Sequence, residues 1–211
     1  LTFGSWVAQG LHDPETVRAF TDEAISLARE YGLAAGFLGR AEVMSGWAIA
    51  VCGVPEEGLQ RMKQGLVTGR TAGAAFGTPC SFTLMSEILL KVGRTDEALE
   101  MVDEALQQSD NQGEYWWYPE SLRCRGVVMQ AIDPANDDAV VAAFECAIAE
   151  SHKRQAKSLE LRAATSLARL WQSQGKTTEA RELLAPVYAW FTEGFDTADL
   201  VDAKALLDDL A

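Results

Sequence analysis

Histidine and paired cysteine are the scarcest chemistry in this chain. His12 and His152 are the only histidines in 211 residues. They fall in different segments, with no cysteine or acidic cluster at ligand spacing, so a zinc site lacks donors and a histidine base lacks partners. The four cysteines, Cys52, Cys80, Cys124 and Cys146, stand 28, 44 and 22 residues apart without a CxxC pair, which does not fit common metal spacings. They are expected as free thiols in a cytoplasmic compartment, packed as small apolar groups. A contact between Cys124 and Cys146 stays open, because both fall in one predicted hairpin. GxxxxGK[ST], GxGxxG and GxSxG are all missing, so phosphate cradling and a nucleophile elbow have no support. No catalytic, cofactor-binding or metal-binding residue is assigned, and the chain is expected not to be an enzyme.

Other shortages narrow the class. Proline occurs six times and β-branched alternation is nearly absent, which argues against sheets. No apolar run approaches the roughly 18 residues of a membrane span. Basic residues are outnumbered, 18 Lys+Arg against 31 Asp+Glu for a net charge of -13, so nucleic acid and anionic lipid are poor partners. The first residues, Leu1 to Trp6, carry neither an initiator methionine nor a basic leader, and the chain reads as a piece of something longer.

What is present is helix-forming sequence, rich in Ala, Leu, Glu, Gln and Arg. Leu1 to Gln9 is an apolar helical fragment. Asp13-Pro14-Glu15 offers an N-cap, a proline at the first helical position and a first-turn acid, and the helix that follows should stop at Gly32. Further helices are expected from Leu33 to Cys52, from Pro55 to about Thr71, and from Phe76-Gly77-Thr78-Pro79 to Gly93. Thr95 can cap the next, which should fade into a turn at Ser109-Asp110-Asn111-Gln112-Gly113. Glu114 to Ala131, Asp137 to Arg154 and Lys157 to Gln174 follow, with Asp133-Pro134 as a connector. Thr177 or Thr178 can cap a helix that Pro186 should kink or loosen. Asp196 to Asp199 reads as an acidic capping box before a last helix.

These helices repeat. Val17/Ala24, Gly58/Gly65, Ala98/Ala105, Val140/Ala147 and Ala180/Val187 recur at spacings of 41, 40, 42 and 40, with breaks at Gly53, Gly93 and Gly175 and the Asp133-Pro134 turn in place of a fourth. Small residues, Gly46, Ser86, Gly126 and Ala168, lie seven or eight before each break. Antiparallel helices approach closely only where small side chains meet, so three rows in phase indicate a helical-hairpin repeat. The pattern resembles the tetratricopeptide repeat: a small residue within the first helix, glycine at the turn, and alanines seven apart in the second. Gly93, Ala98 and Ala105 match best. The period exceeds the 34 residues of that repeat, and its terminal proline is missing.

A second resemblance covers the later half. Trp116-Trp117 leading to Leu122-Arg123-Cys124-Arg125-Gly126, then Ser158 to Leu170, then Leu183 to Thr197 are similar to the C-terminal repeat region of bacterial multidomain regulators. There an adenylate/guanylate cyclase or DNA-binding domain precedes an AAA-type (STAND-like) ATPase module. The resemblance implies a place within a larger protein, with no catalytic residue in the matched part.

The expected fold is therefore all-α, a right-handed α-α superhelix forming one domain over 1–211. Its hairpins span 1–32 (truncated), 33–73, 74–113, 114–156 and 157–194, closed by a capping helix at 197–210. The uncapped start predicts an exposed apolar surface, with a homodimer as one way of covering it. In such stacks the first helix of each pair lines the groove, which places Arg40, Val43 and Trp47, then Thr83, Glu87 and Lys91, then Arg123 and Val127, and finally Arg162, Arg169 and Gln172 on that face. The arginines either form an anion site or pair with Glu120 and Glu160. The expected role is a scaffold that binds a protein or peptide partner, or other domains of its parent. The alternative is a small-ligand or peptide sensor for an anionic group.

Overall fold

Each helix begins where local chemistry can satisfy its first amides. Asp13 accepts a hydrogen bond from the Thr16 amide at 3.0 Å, with Pro14 at the first helical position. In the computed structural model, which describes residues 1–211, eleven helices follow one another: α1 (Thr2–Gly10), α2 (Pro14–Glu30), α3 (Ala35–Val51), α4 (Pro55–Thr71), α5 (Thr78–Lys91), α6 (Thr95–Gln112), α7 (Tyr118–Ile132), α8 (Asp137–Lys153), α9 (Lys157–Ser173), α10 (Thr177–Ala189) and α11 (Ala198–Asp209). Gly93 turns α5 into α6 with φ of 78°, a left-handed conformation that costs glycine nothing sterically. Between α7 and α8 no glycine is needed. There Asp133 Oδ1 accepts from the Ala135 amide at 3.1 Å, an Asx turn that bends the chain with a side chain.

Consecutive helices pack as antiparallel pairs, closest where their residues are smallest. A Cβ on Gly46 would lie 2.6 Å from the Gly58 carbonyl oxygen, and one on Gly65 would lie 2.6 Å from that of Gly39. The backbones of α3 and α4 therefore touch at two points along their length. In the next pair Ser86 takes the place of glycine and its hydroxyl donates to the Ala98 carbonyl at 2.6 Å. In the pair after that, Gly126 leaves room for the ring of Phe144, which is fully buried.

Two compact units result, Leu1–Gln112 and Gly113–Ala211. In the first, α1 packs on α2, α3 on α4 and α5 on α6, while α1, α3 and α5 also touch in series. Val17, Met44, Met62, Leu84, Met85 and Val102 fill its interior. In the second, α7, α9 and α11 touch in series, with α8 and α10 packed against them. α11 closes it by burying Leu200, Ala203, Leu206 and Leu210 against Leu161, Ala164, Ala168, Ala180 and Leu184.

Several local expectations are corrected. The turn expected at 109–113 is helical to Gln112, because Ser109 turns its hydroxyl back to the Ala105 carbonyl at 3.0 Å and does not break the helix. Helix α7 starts at Tyr118, not Glu114, and Pro119 in its first turn explains the later start. Thr95 does not cap α6: the first helical bond runs from the Ala98 amide to the Arg94 carbonyl, which puts Thr95 inside the first turn. Lys176 and Thr197 occupy the cap positions of α10 and α11 without a side-chain bond; the Thr197 hydroxyl donates to Gly194 instead. As expected, Pro186 lies within α10, which continues to Ala189. All four cysteines are thiols, but Cys52 and Cys146 are exposed, against the expectation of burial.

Candidate functional site

The face built from the first helix of each pair behaves differently in the two units. In the first unit, Val43 and Trp47 are buried, and Thr83 is fully buried with its hydroxyl donating to the Pro79 carbonyl at 3.0 Å. These three residues, expected on a groove, are buried, and Val43 lies on the side of α3 that meets α4, where its amide nitrogen would stand 2.7 Å from a Cβ on Gly65. Arg40 is half-buried with its guanidinium over the Phe37 ring at 5.0 Å. Glu87 is half-buried and Lys91 exposed.

In the second unit the predicted arginines gather into an ionic ladder. Arg123 makes a two-pronged contact with Glu120, Nε to Oε2 at 3.0 Å and Nη2 to Oε1 at 2.8 Å. Arg162 reaches the same Glu120 Oε1 at 3.4 Å across from α9, and its Nε donates to Asp199 of α11 at 2.8 Å. Arg169, two turns further along α9, pairs with Asp202. Burial falls along this row: the Glu120 and Arg162 side chains are 3% and 9% exposed, whereas Arg169 and Asp202 are 50% and 47% exposed. Val127 packs beneath, against Val140, Phe144, Leu167 and Leu170, and Gln172 is half-buried. Glu160 does not join the arginines, because Lys157 takes it at 2.7 Å.

Asp199 and Asp202 were not anticipated as members of this face. The signal was available: they lie three residues apart on α11, while Arg162 and Arg169 lie seven apart on α9, so both pairs occupy single helix faces.

Aromatic residues form a second cluster in this unit. The Arg154 guanidinium lies over Tyr115 at 5.3 Å and Tyr118 at 5.8 Å. Trp116 donates from Nε1 to Glu114 at 2.6 Å and leans on Trp117 at 5.2 Å.

In the first unit, Arg94 joins the second helices of two pairs. It meets Glu56 at 3.0 Å and Glu97 at 2.6 Å. The hydrogen bond with Glu97 raises the Arg94 pKa above its ordinary value and lowers that of Glu97. A surface depression of about 410 Å³ lies beside it, lined by Glu56, Glu57, Leu59, Gln60, Lys63 and Arg94. No group of three or more His, Cys, Asp or Glu side chains is placed to hold a metal ion, and no helix is long and apolar enough to cross a membrane.

Face-to-face first helices, close small-residue contacts and a closing helix define the class: an all-α solenoid of paired helices with the tetratricopeptide-like repeat architecture. Two crystal structures of a Podosopora anserina protein described as a kinesin light chain, with nearly identical TPR-like repeats, share it. One matches with a TM-score of 0.58 and 16% identity, covering 88% of this chain and 90% of that one. The other matches with a TM-score of 0.57 at the same identity and coverage. This likeness is one of fold. In sequence, 132 residues are 30% identical to an uncharacterized protein of Rhizobium meliloti (strain 1021), a match over 63% of this chain and 13% of that protein. The chain therefore matches only a small part of its curated relative. No family model matches.

Proposed function

We propose that the chain is a non-catalytic protein- or peptide-binding module that works as a regulatory part of a larger, cytoplasmic signalling protein. The match to 13% of the length of a bacterial relative supports membership of a longer polypeptide. The resemblance of Trp116 to Thr197 to the repeat regions of cyclase- and ATPase-containing regulators supports the signalling context. The observation that carries the binding role is the second unit's ladder, where α9 offers Arg162 and Arg169 to carboxylates from another helix. A face that already accepts Asp199 and Asp202 has the chemistry for an acidic segment. Arginine suits this task because its planar fork pairs with a carboxylate through two parallel bonds.

The half-exposed Arg169 favours a second reading, a sensor for a small anion or a peptide carboxylate. Reversing the half-exposed Arg169 to glutamate separates the roles. A binding face loses the melting shift produced by an acidic peptide while the unliganded protein melts as before. A purely structural ladder lowers the melting temperature of the unliganded protein and shows no peptide-dependent shift in either form. Cyclase or ATPase turnover by the purified chain would overturn the non-catalytic reading.

A further inference from the structure

Buried hydroxyls in this chain are satisfied, with one exception. Every other buried serine or threonine donates to a backbone carbonyl, whereas Ser45 on α3, only 4% exposed, makes no hydrogen bond. On α4 the Nε of Arg61 is also buried and has no acceptor. A buried polar group left unpaired costs stability and calls for a reason. These two share a location. Helices α2 and α4 both pack on α3 but not on each other, and the furrow between them holds a depression of about 410 Å³ that Ser45 and Arg61 both line. Glu57, one helical turn before Arg61, lines it too and forms no ion pair. From the α2 side Asp22 holds Arg18 only loosely, at 3.9 Å. Ile49 and Val54 give the depression an apolar wall.

We propose that this depression binds a free aliphatic α-amino acid. The Ser45 hydroxyl and the Arg61 Nε are both donors, and a carboxylate is the acceptor that satisfies the two together through charge-assisted bonds. The unpaired carboxylate of Glu57 receives the ammonium group. Ile49 and Val54 take the aliphatic side chain, in the usual division of a small-molecule site into apolar walls and a few orienting polar groups. Charge selects a dipolar ligand over a simple anion. Two guanidiniums balance two carboxylates here, so a zwitterion enters without adding charge to a chain of net charge -13. Phosphate or a dicarboxylate adds to that charge and meets Asp22 and Glu57 as like charges. The site lies wholly within the first unit and does not rest on the acidic-segment reading, which concerns the second.

Isothermal titration calorimetry of the whole chain tests it with L-leucine as probe, beside leucinamide, which lacks the carboxylate, and isocaproate, which lacks the ammonium group. The expected result is that L-leucine binds and that each analogue binds at least about tenfold more weakly. Ser45→Ala removes a hydroxyl that bonds to nothing in the unliganded protein, so it should weaken leucine binding about tenfold without lowering the melting temperature. Arg61→Met should abolish binding. Cys52, exposed at the same depression, gives an independent readout. In a Cys146→Ser background its alkylation by N-ethylmaleimide should slow with L-leucine present and not with leucinamide. Failure of L-alanine, L-valine and L-leucine alike to bind at about 10 mM, isocaproate binding as tightly as L-leucine, or leucine binding undiminished in both Ser45→Ala and Arg61→Met would overturn the assignment.

Discussion

Single residues set the ends of these helices, and they differ in how openly the sequence declares them. Asp13 before Pro14 is legible because donor, acceptor and proline lie within four residues. Gln155 is not: it turns α8 into α9 with φ of 56°, a conformation that glycine announces and glutamine does not. Holding a non-glycine residue there costs about 1–2 kcal/mol, against roughly 0.5–1 kcal/mol of added chain entropy for glycine. Gln155→Gly should therefore raise the melting temperature slightly, losing only an exposed bond from the Gln155 Nε2 to the His152 carbonyl; a lower melting temperature would show that this bond outweighs the strain. Asp13 gives a pH-dependent counterpart. Hydrogen bonds from the Thr16 side chain and amide hold its pKa below the usual carboxylate value. A depressed folded-state pKa stabilises the protein above the unfolded value, and this contribution fades as pH falls through the folded one. The melting-temperature gap between wild type and Asp13→Ala should be constant near neutrality and close below about pH 4. Asp13→Asn, which keeps an acceptor without the charge, should remove that dependence and retain most of the stability.

At the scale of elements, the hairpins were readable because their cause is periodic. Close approach demands small residues once per pair, and Gly46, Ser86 and Gly126 mark those points. Boundaries were less readable. Whether Ser109 ends a helix or bonds back to Ala105 depends on one rotamer, which composition does not encode. The α3–α4 contact supplies a direct test. Alanine in place of glycine gains about 1 kcal/mol of helix propensity, but at Gly58 its Cβ would lie 2.5 Å from both Ala50 Cβ and the Gly46 carbonyl oxygen. Overpacking costs typically about 1–3 kcal/mol, and here the obstacle includes backbone that cannot rotate away. Gly46→Ala and Gly58→Ala should each destabilise in chemical denaturation. Gly10→Ala, with nothing within 4 Å of the added methyl, should be neutral or mildly stabilising. Equal effects at all three sites would show that the backbones are not in contact.

Across the whole molecule, 18 basic residues serve 31 acidic ones, so where each arginine is placed matters more than how many there are. The arginines of the second unit were legible as a row on one face. Their acidic partners share one face of α11, but which face of the closing helix docks on α9 is a long-range outcome that the sequence does not declare. The groove residues of the first unit show a related limit: the register assigns a face but not how far it is covered, and Val43, Trp47 and Thr83 are buried. Burial along the ladder then decides what each arginine does. Removing one partner of a buried ion pair costs about 3–5 kcal/mol, while exposed pairs contribute roughly 0–1 kcal/mol. Arg162→Met keeps the stem's packing but removes the Arg162 bonds to Glu120 and, across the α9–α11 contact, to Asp199. It should lower stability by several kcal/mol and speed amide exchange selectively in α11. Arg169→Met, at the exposed end of the row, should leave both nearly unchanged. A double-mutant cycle of Arg162→Met with Asp199→Asn measures the link directly: a coupling energy near zero would mean that α11 is held by Leu200, Leu206 and Leu210 alone, and that the ladder stands ready for carboxylates from elsewhere without cost to the fold.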